Sequence, residues 1–179
     1  MAFLTVGHST RTAEELIEIL QAHDVAAVAD VRRYPASRRH PHFAGEALAR
    51  TLEQVGIRYV WIPELGGRRS RRPGSPHTAW REAGFAGYAD HLDSEEFAGG
   101  INRLMAIGMD VRIAILCAEA VPERCHRRLI ADWLTVAGHS VDHLMDRRRS
   151  RPHELPDFAR VEAGRLVYDG NQRSLLPHS

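Results

Sequence analysis

At 179 residues and 20.1 kDa the chain has material for one compact domain, and its 44% hydrophobic and 26% charged residues exclude global disorder. Its net charge of +1 conceals the fact that all 24 basic residues are arginine, which excludes Schiff-base, pyridoxal-phosphate-anchoring and P-loop lysine chemistry. Two cysteines exclude a disulfide scaffold, no apolar run approaches the ~18–20 residues a bilayer requires, and the N-terminus lacks signal-peptide regions, so a cytoplasmic protein is expected.

In chain order, residues 2–6 form a short apolar strand that ends at Gly7-His8-Ser9-Thr10. Thr12-Ala13-Glu14-Glu15 fits a capping box, with Leu16, Ile17 and Leu20 on one helical face. Residues 26–31 read as a second strand, followed by a long basic loop over 32–43. Residues 45–55 read as a helix stopped by Gly56, and 58–62 as a third strand leading into Pro63-Glu64-Leu65-Gly66-Gly67. Residues 66–79, rich in Gly, Pro, Ser and Arg, predict an exposed excursion. One or two helices fill 88–107, closed by Gly108. Residues 111–116 are the strongest buried strand and run into Cys117. Pro122 suits the first turn of a helix that continues to Ala137 before Gly138. Residues 140–145 make a fifth strand. Beyond Arg147 the chain is polar, with one late strand at 165–168.

Strands alternating with helices predict βαβ units: an α/β, Rossmann-like three-layer sandwich with a mainly parallel sheet of about five strands. One domain over 1–179 is expected, with 146–179 as a polar extension. In such sheets ligands bind outside the carboxyl ends of the strands. Gly7-His8-Ser9, Asp30 and Arg32, Glu64 with Gly66-Gly67, and Cys117 with Glu119 all follow strands. The polar chemistry therefore converges on one edge.

Gly7-His8-Ser9-Thr10, Asp30-Val31-Arg32-Arg33 with Pro35 and Ser37, Leu65-Gly66-Gly67, and Cys117-Ala118-Glu119 followed by Cys125-His126-Arg127 form an ordered set. That set resembles the prokaryotic domain-of-unknown-function family 488 over roughly residues 3–145. The resemblance implies a small Rossmann-like domain and supplies no reaction.

Chemistry must come from the residues. Cys117, Cys125, His8, Asp30 and Glu119 are the catalytic candidates. Cys117 holds the strand-end address of a thiol nucleophile, but Arg124 comes one residue later than the C-x5-R spacing of thiol phosphatases, and Glu119 opposes an oxyanion there. Cys125 is expected in a first helical turn beside Arg124, His126 and Arg127, which favours a thiolate; an inert buried cysteine is the other reading of either residue. Cys117, Cys125 and His126, with His8, offer soft metal ligands, and Cys117 with Cys125 offers a reversible disulfide. No C-x2-C or H-E-x-x-H signature accompanies them, so no metal is assigned and the cofactor is left open.

The anion-binding candidates are Gly7, Ser9, Thr10, Arg32, Ser37, His126 and Arg127. Glycine lets backbone approach a phosphate, and arginine grips it bidentately. Asp30 serves as a base or as the partner of Arg32, Arg33 or Arg127. The loop from Tyr34 to Phe43 mixes arginine, histidine and aromatics, the materials for a sugar-phosphate backbone. Two readings follow. One is an enzyme on a phosphorylated, nucleotide or nucleic-acid substrate; the other is a nucleic-acid-binding module with an arginine-rich surface.

Overall fold

Alternating side chains on the central strands feed two separate cores, and that division builds the fold. The computed structural model describes residues 1–36 and 39–170. Six strands, β1 (Ala2–Gly7), β2 (Ala27–Asp30), β3 (Arg58–Trp61), β4 (Ile113–Cys117), β5 (Ser140–Leu144) and β6 (Ser150–Pro152), form one sheet. Its order is β3-β2-β4-β1-β5-β6, with β1 to β5 parallel and β6 antiparallel to β5. The expected five strands are present. The sixth is short, fully exposed and carries Pro152, a residue suited to a sheet edge.

On one face Leu4, Val6, Val28, Ala114 and Leu116 pack against α1 (Ala13–Ala22) and α2 (Gly45–Gln54) through Leu16, Leu20, Leu48 and Leu52. On the other face Phe3, Ala27, Ala29, Ile113 and Ile115 meet α3 (Ala83–His91), α4 (Glu95–Asp110) and α5 (Arg127–Val136). Each fully buried leucine contributes roughly 1.5–3 kcal/mol. The result is a three-layer, Rossmann-like α/β sandwich.

The capping box at α1 is present. Glu15 N–H donates to the Thr12 hydroxyl at 3.1 Å, and Thr12 N–H donates to the Glu15 carboxylate at 2.7 Å. Gly108 corrects an expectation: it lies inside α4, where an added Cβ would meet the Phe3 ring at 2.8 Å. It serves close packing instead of stopping a helix. The helix expected from Pro122 is also divided. Pro122–Arg124 forms a single 3-10 turn, Cys125 is extended (φ −127°, ψ 140°), and α5 starts only at Arg127.

The late strand, β8 (Arg165–Tyr168), pairs antiparallel with β7 (Ala159–Glu162). Leu166 and Tyr168 join the core under α3 and α5, and Ala79 N–H donates to the Tyr168 carbonyl at 2.9 Å. The segment after Arg147 is therefore docked through part of its length. Among the described residues no helix is long and apolar enough to cross a membrane.

Strands β1 and β4 are neighbours, yet β1 leads into α1 on one face and β4 into α5 on the other. Chains that leave in opposite directions open a crevice at the carboxyl ends. The candidate site lies there.

Candidate functional site

Register sets the strand ends level: Gly7 pairs with Cys117, and Asp30 with Leu116. The loop after β1 then extends the ladder, with His8 N–H donating to the Cys117 carbonyl at 3.0 Å and Ser9 N–H to the Ala118 carbonyl at 2.8 Å. Ser9 takes a left-handed conformation, φ 50°. A Cβ on Gly7 would fall 1.8 Å from the Glu119 carbonyl oxygen. This corrects the phosphate-cradle expectation for Gly7: the glycine admits the Glu119 backbone, and the amides of His8 and Ser9 are already bonded.

A cavity of about 680 Å³ opens at this edge. Among the described residues Arg32, Arg33, Arg39, Arg68 and Arg124 line it against a single carboxylate, Glu119, with Ser9, Thr10, His8 and Tyr34 also on the wall. Arg39, Arg68 and Arg124 make no ion pair among the described residues. Arg147, Arg149 and Arg151 on the surface pair with Glu18, Asp146 and Glu123.

Asp30 and His8 are held together through Arg32. Both Asp30 oxygens accept from Arg32, at 2.9 Å from Nε and 2.5 Å from Nη2, and Tyr59 donates its hydroxyl at 2.7 Å. Asp30 is fully buried and does not line the cavity. His8 Nδ1–H donates to the Ser9 carbonyl at 3.0 Å, so Nε2 is the acceptor that meets Arg32 Nη1 at 3.2 Å. Burial, with the charge of Arg32 added, pushes the His8 pKa down to about 4. Neutral His8, stacked on Phe43 at 4.2 Å, holds Arg32 in place. Arg32 also donates to the Phe43 carbonyl, so its guanidinium belongs mainly to the scaffold.

Arg127 is corrected as an anion contact. It is 1% exposed, lies off the cavity wall and donates to the carbonyls of Glu119 and Ala120. Its role is to clamp the loop after β4. Ser37, another expected contact, and its neighbour Arg38 lie outside the described residues.

Cys117, Cys125 and His126 come together on the cavity wall. Cys117 Sγ lies 3.8 Å and Cys125 Sγ 3.9 Å from His126 Nδ1. His126 Nε2 stands 3.0 Å from the Val31 carbonyl, which can only accept, so Nε2 carries the hydrogen. His126 Nδ1 is thereby aimed at the two sulfurs. Gly67 presses on the same ring, where a Cβ would sit 2.8 Å from Nδ1. Hydrogen bonding to Cys125, together with burial, pushes the Cys117 thiol well up. For Cys125 burial acts upward, but hydrogen bonds from Cys117 and His126 and the Arg127 charge bring it well down. Both cysteines are free thiols.

Composition concealed several of these contributors. Arg68 and Arg124 line the cavity because the Gly66-Gly67 stretch and the 3-10 turn turn toward it; their positions just after strand-end loops were the available signal. Tyr59, a β3 residue that reads as packing, carried no signal for its bond to Asp30.

A second cavity of about 450 Å³ lies over β5 and β6, lined in part by His143, Arg151 and His153. A chain of bonds runs beside it. His153 Nε2–H donates to Asp132 at 2.7 Å, and His153 Nδ1 and His143 Nε2 share a hydrogen bond at 2.9 Å. His143 Nδ1 and the Thr5 hydroxyl share another at 2.7 Å. Tyr168 donates to the other Asp132 oxygen at 2.8 Å.

These features define the molecule as a Rossmann-like α/β protein with a cationic cavity at the carboxyl edge of its parallel sheet. The chain belongs to the family described as domain of unknown function DUF488, whose family model matches residues 12–134. The match begins beyond the Gly7–Thr10 loop and includes Asp30, Arg32, Cys117, Cys125 and His126. No curated protein and no solved structure shows significant similarity to it.

Proposed function

We propose that the protein is an enzyme acting on a phosphorylated, nucleotide-type substrate held at the strand-carboxyl edge. The observation that carries this reading is the cavity wall of five arginines against one carboxylate, with Arg39, Arg68 and Arg124 free of ion pairs among the described residues. Unpaired guanidiniums in a concave wall offer planar, bidentate donors to phosphate oxygens. Ser9 and Thr10 add hydroxyls on the same wall. Cys117, Cys125 and His126 supply the reactive groups, and Glu119 a carboxylate to accept or return a proton. Simple phosphate tethering would not call for that cluster.

Calorimetry with a nucleoside monophosphate tests the reading. Arg124→Ala and Arg33→Ala should each weaken binding by ~1.5–3 kcal/mol, the range for charged hydrogen bonds. Arg147→Ala, on the surface beside Glu18, should leave it unchanged. Equal losses in all three variants, with steep salt dependence for a short oligonucleotide, would replace the pocket with a diffuse nucleic-acid surface.

A further inference from the structure

We infer that Cys117, Cys125 and His126 form a binding site for one zinc-class divalent ion, open toward the cavity. The three ligand atoms lie within 4.8 Å of one another. With Zn–S near 2.3 Å and Zn–N near 2.0 Å, a tetrahedral ion needs S···N of roughly 3.6 Å and S···S of roughly 3.8 Å. The S···N separations are already 3.8 and 3.9 Å, and the S···S separation, within 4.8 Å, needs to close by at most about 1 Å to bring both sulfurs and the nitrogen onto one ion.

The surroundings favour the ion as well. The Val31 carbonyl accepts from His126 Nε2–H, the outer contact that characteristically fixes the tautomer of a metal-bound histidine. Gly67 leaves no side chain to cover Nδ1. His8, the fourth soft ligand offered by the sequence, is withdrawn to Ser9 and Arg32, so the described residues supply three ligands. Three protein ligands with a fourth position left to water or substrate is the pattern of catalytic zinc, whereas structural zinc is closed by four. All three residues border the cavity, where Glu119 also lies. Both cysteines bind as thiolates, so ion uptake releases to solvent the protons they still carry. Such an ion would polarise a phosphoryl or carbonyl oxygen or activate a bound water. Binding of the ion itself stands on the ligand geometry alone; only its catalytic use rests on the proposed function.

The test uses the full chain, reduced, stripped with chelator and titrated with cobalt(II) alone, then zinc alone. One cobalt per chain is expected, with a thiolate-to-cobalt charge-transfer band and the intense visible bands of tetrahedral coordination, all displaced by zinc. Cys125→Ser and Cys117→Ser should each remove much of the charge-transfer band. Each should also weaken zinc binding by more than the ~10–100-fold that loss of an outer contact produces. Should either variant fail to fold, the wild-type chain still decides: zinc must release protons and shield both thiols from alkylation. Absent binding, a spectrum without the charge-transfer band, or zinc affinity unchanged in both folded serine variants would overturn the site. Nucleoside monophosphate binding to the metal-free chain, measured separately, shows whether the anion reading has failed or only the metal.

Discussion

Asp30 and Arg32 form a buried ion pair at 2.5 Å, with side chains 0% and 7% exposed, at the point where β2 gives way to the basic loop. Tyr59 and the Arg32 amide complete the carboxylate's bonds, while His8 and the Phe43 carbonyl hold the guanidinium. Removing one member strands the other's charge in the interior. Asp30→Asn or Arg32→Ala should therefore lower unfolding free energy by about 3–5 kcal/mol, read from urea denaturation. Losses below 1 kcal/mol in both would mean that the pair is solvated like a surface bridge.

Gly7→Ala tests the close approach of two loops. Its Cβ would lie 1.8 Å from a backbone oxygen of Glu119, an atom that cannot swing aside. Forced shifts of this kind typically cost about 1–3 kcal/mol or more. The change should lower the urea midpoint and, by displacing the loop after Cys117, weaken anion binding too. Full retention of both would show that the β1 and β4 loops are further apart.

The docking of the C-terminal hairpin is open to a conservative substitution. Tyr168→Phe removes the bond to buried Asp132 and leaves the ring in place. A loss of about 1–3 kcal/mol is expected for the unsatisfied carboxylate oxygen. An unchanged unfolding curve would detach the hairpin from the folded core.

Acid sensitivity follows from His143. Burial, then the charges of His153 and Arg127, lower its pKa from 6.5 to about 3. The native state thus holds this histidine neutral, while the unfolded chain protonates it below pH 6.5. The unfolded state binds the extra proton between the two values, so stability falls as pH drops from 6.5 toward 3, by a few kcal/mol. Urea denaturation across that window should show the slope in wild type and a reduced one in His143→Gln. The same slope in both would place the acid sensitivity elsewhere.

Much of the architecture was written in periodicity. The five parallel strands, the Thr12 capping box and the strand-end grouping of His8, Arg32, Cys117 and Glu119 all follow from local patterns and the strand-end rule. Strands β6 and β7 carry little apolar alternation and gain their place from neighbours distant in sequence. Arginine concealed the most. Its charge predicts solvent exposure, but Arg32 is buried on a carboxylate and Arg127 on two carbonyls, partners that no local pattern identifies. Cys125 was misplaced for a related reason: Pro122 opens a helix in pattern, and only the fold shows that it opens a 3-10 turn.

The arginine-lined cavity is the proposed seat of the substrate's phosphate. The most direct measurement is a crystal structure of the chain soaked with a nucleoside monophosphate. Phosphate density is expected against two or more of Arg33, Arg39, Arg68 and Arg124, within reach of Ser9 or Thr10. Phosphate density confined to Arg151 and His153 in the second cavity, or to the Arg147–Arg149 surface, would contradict it.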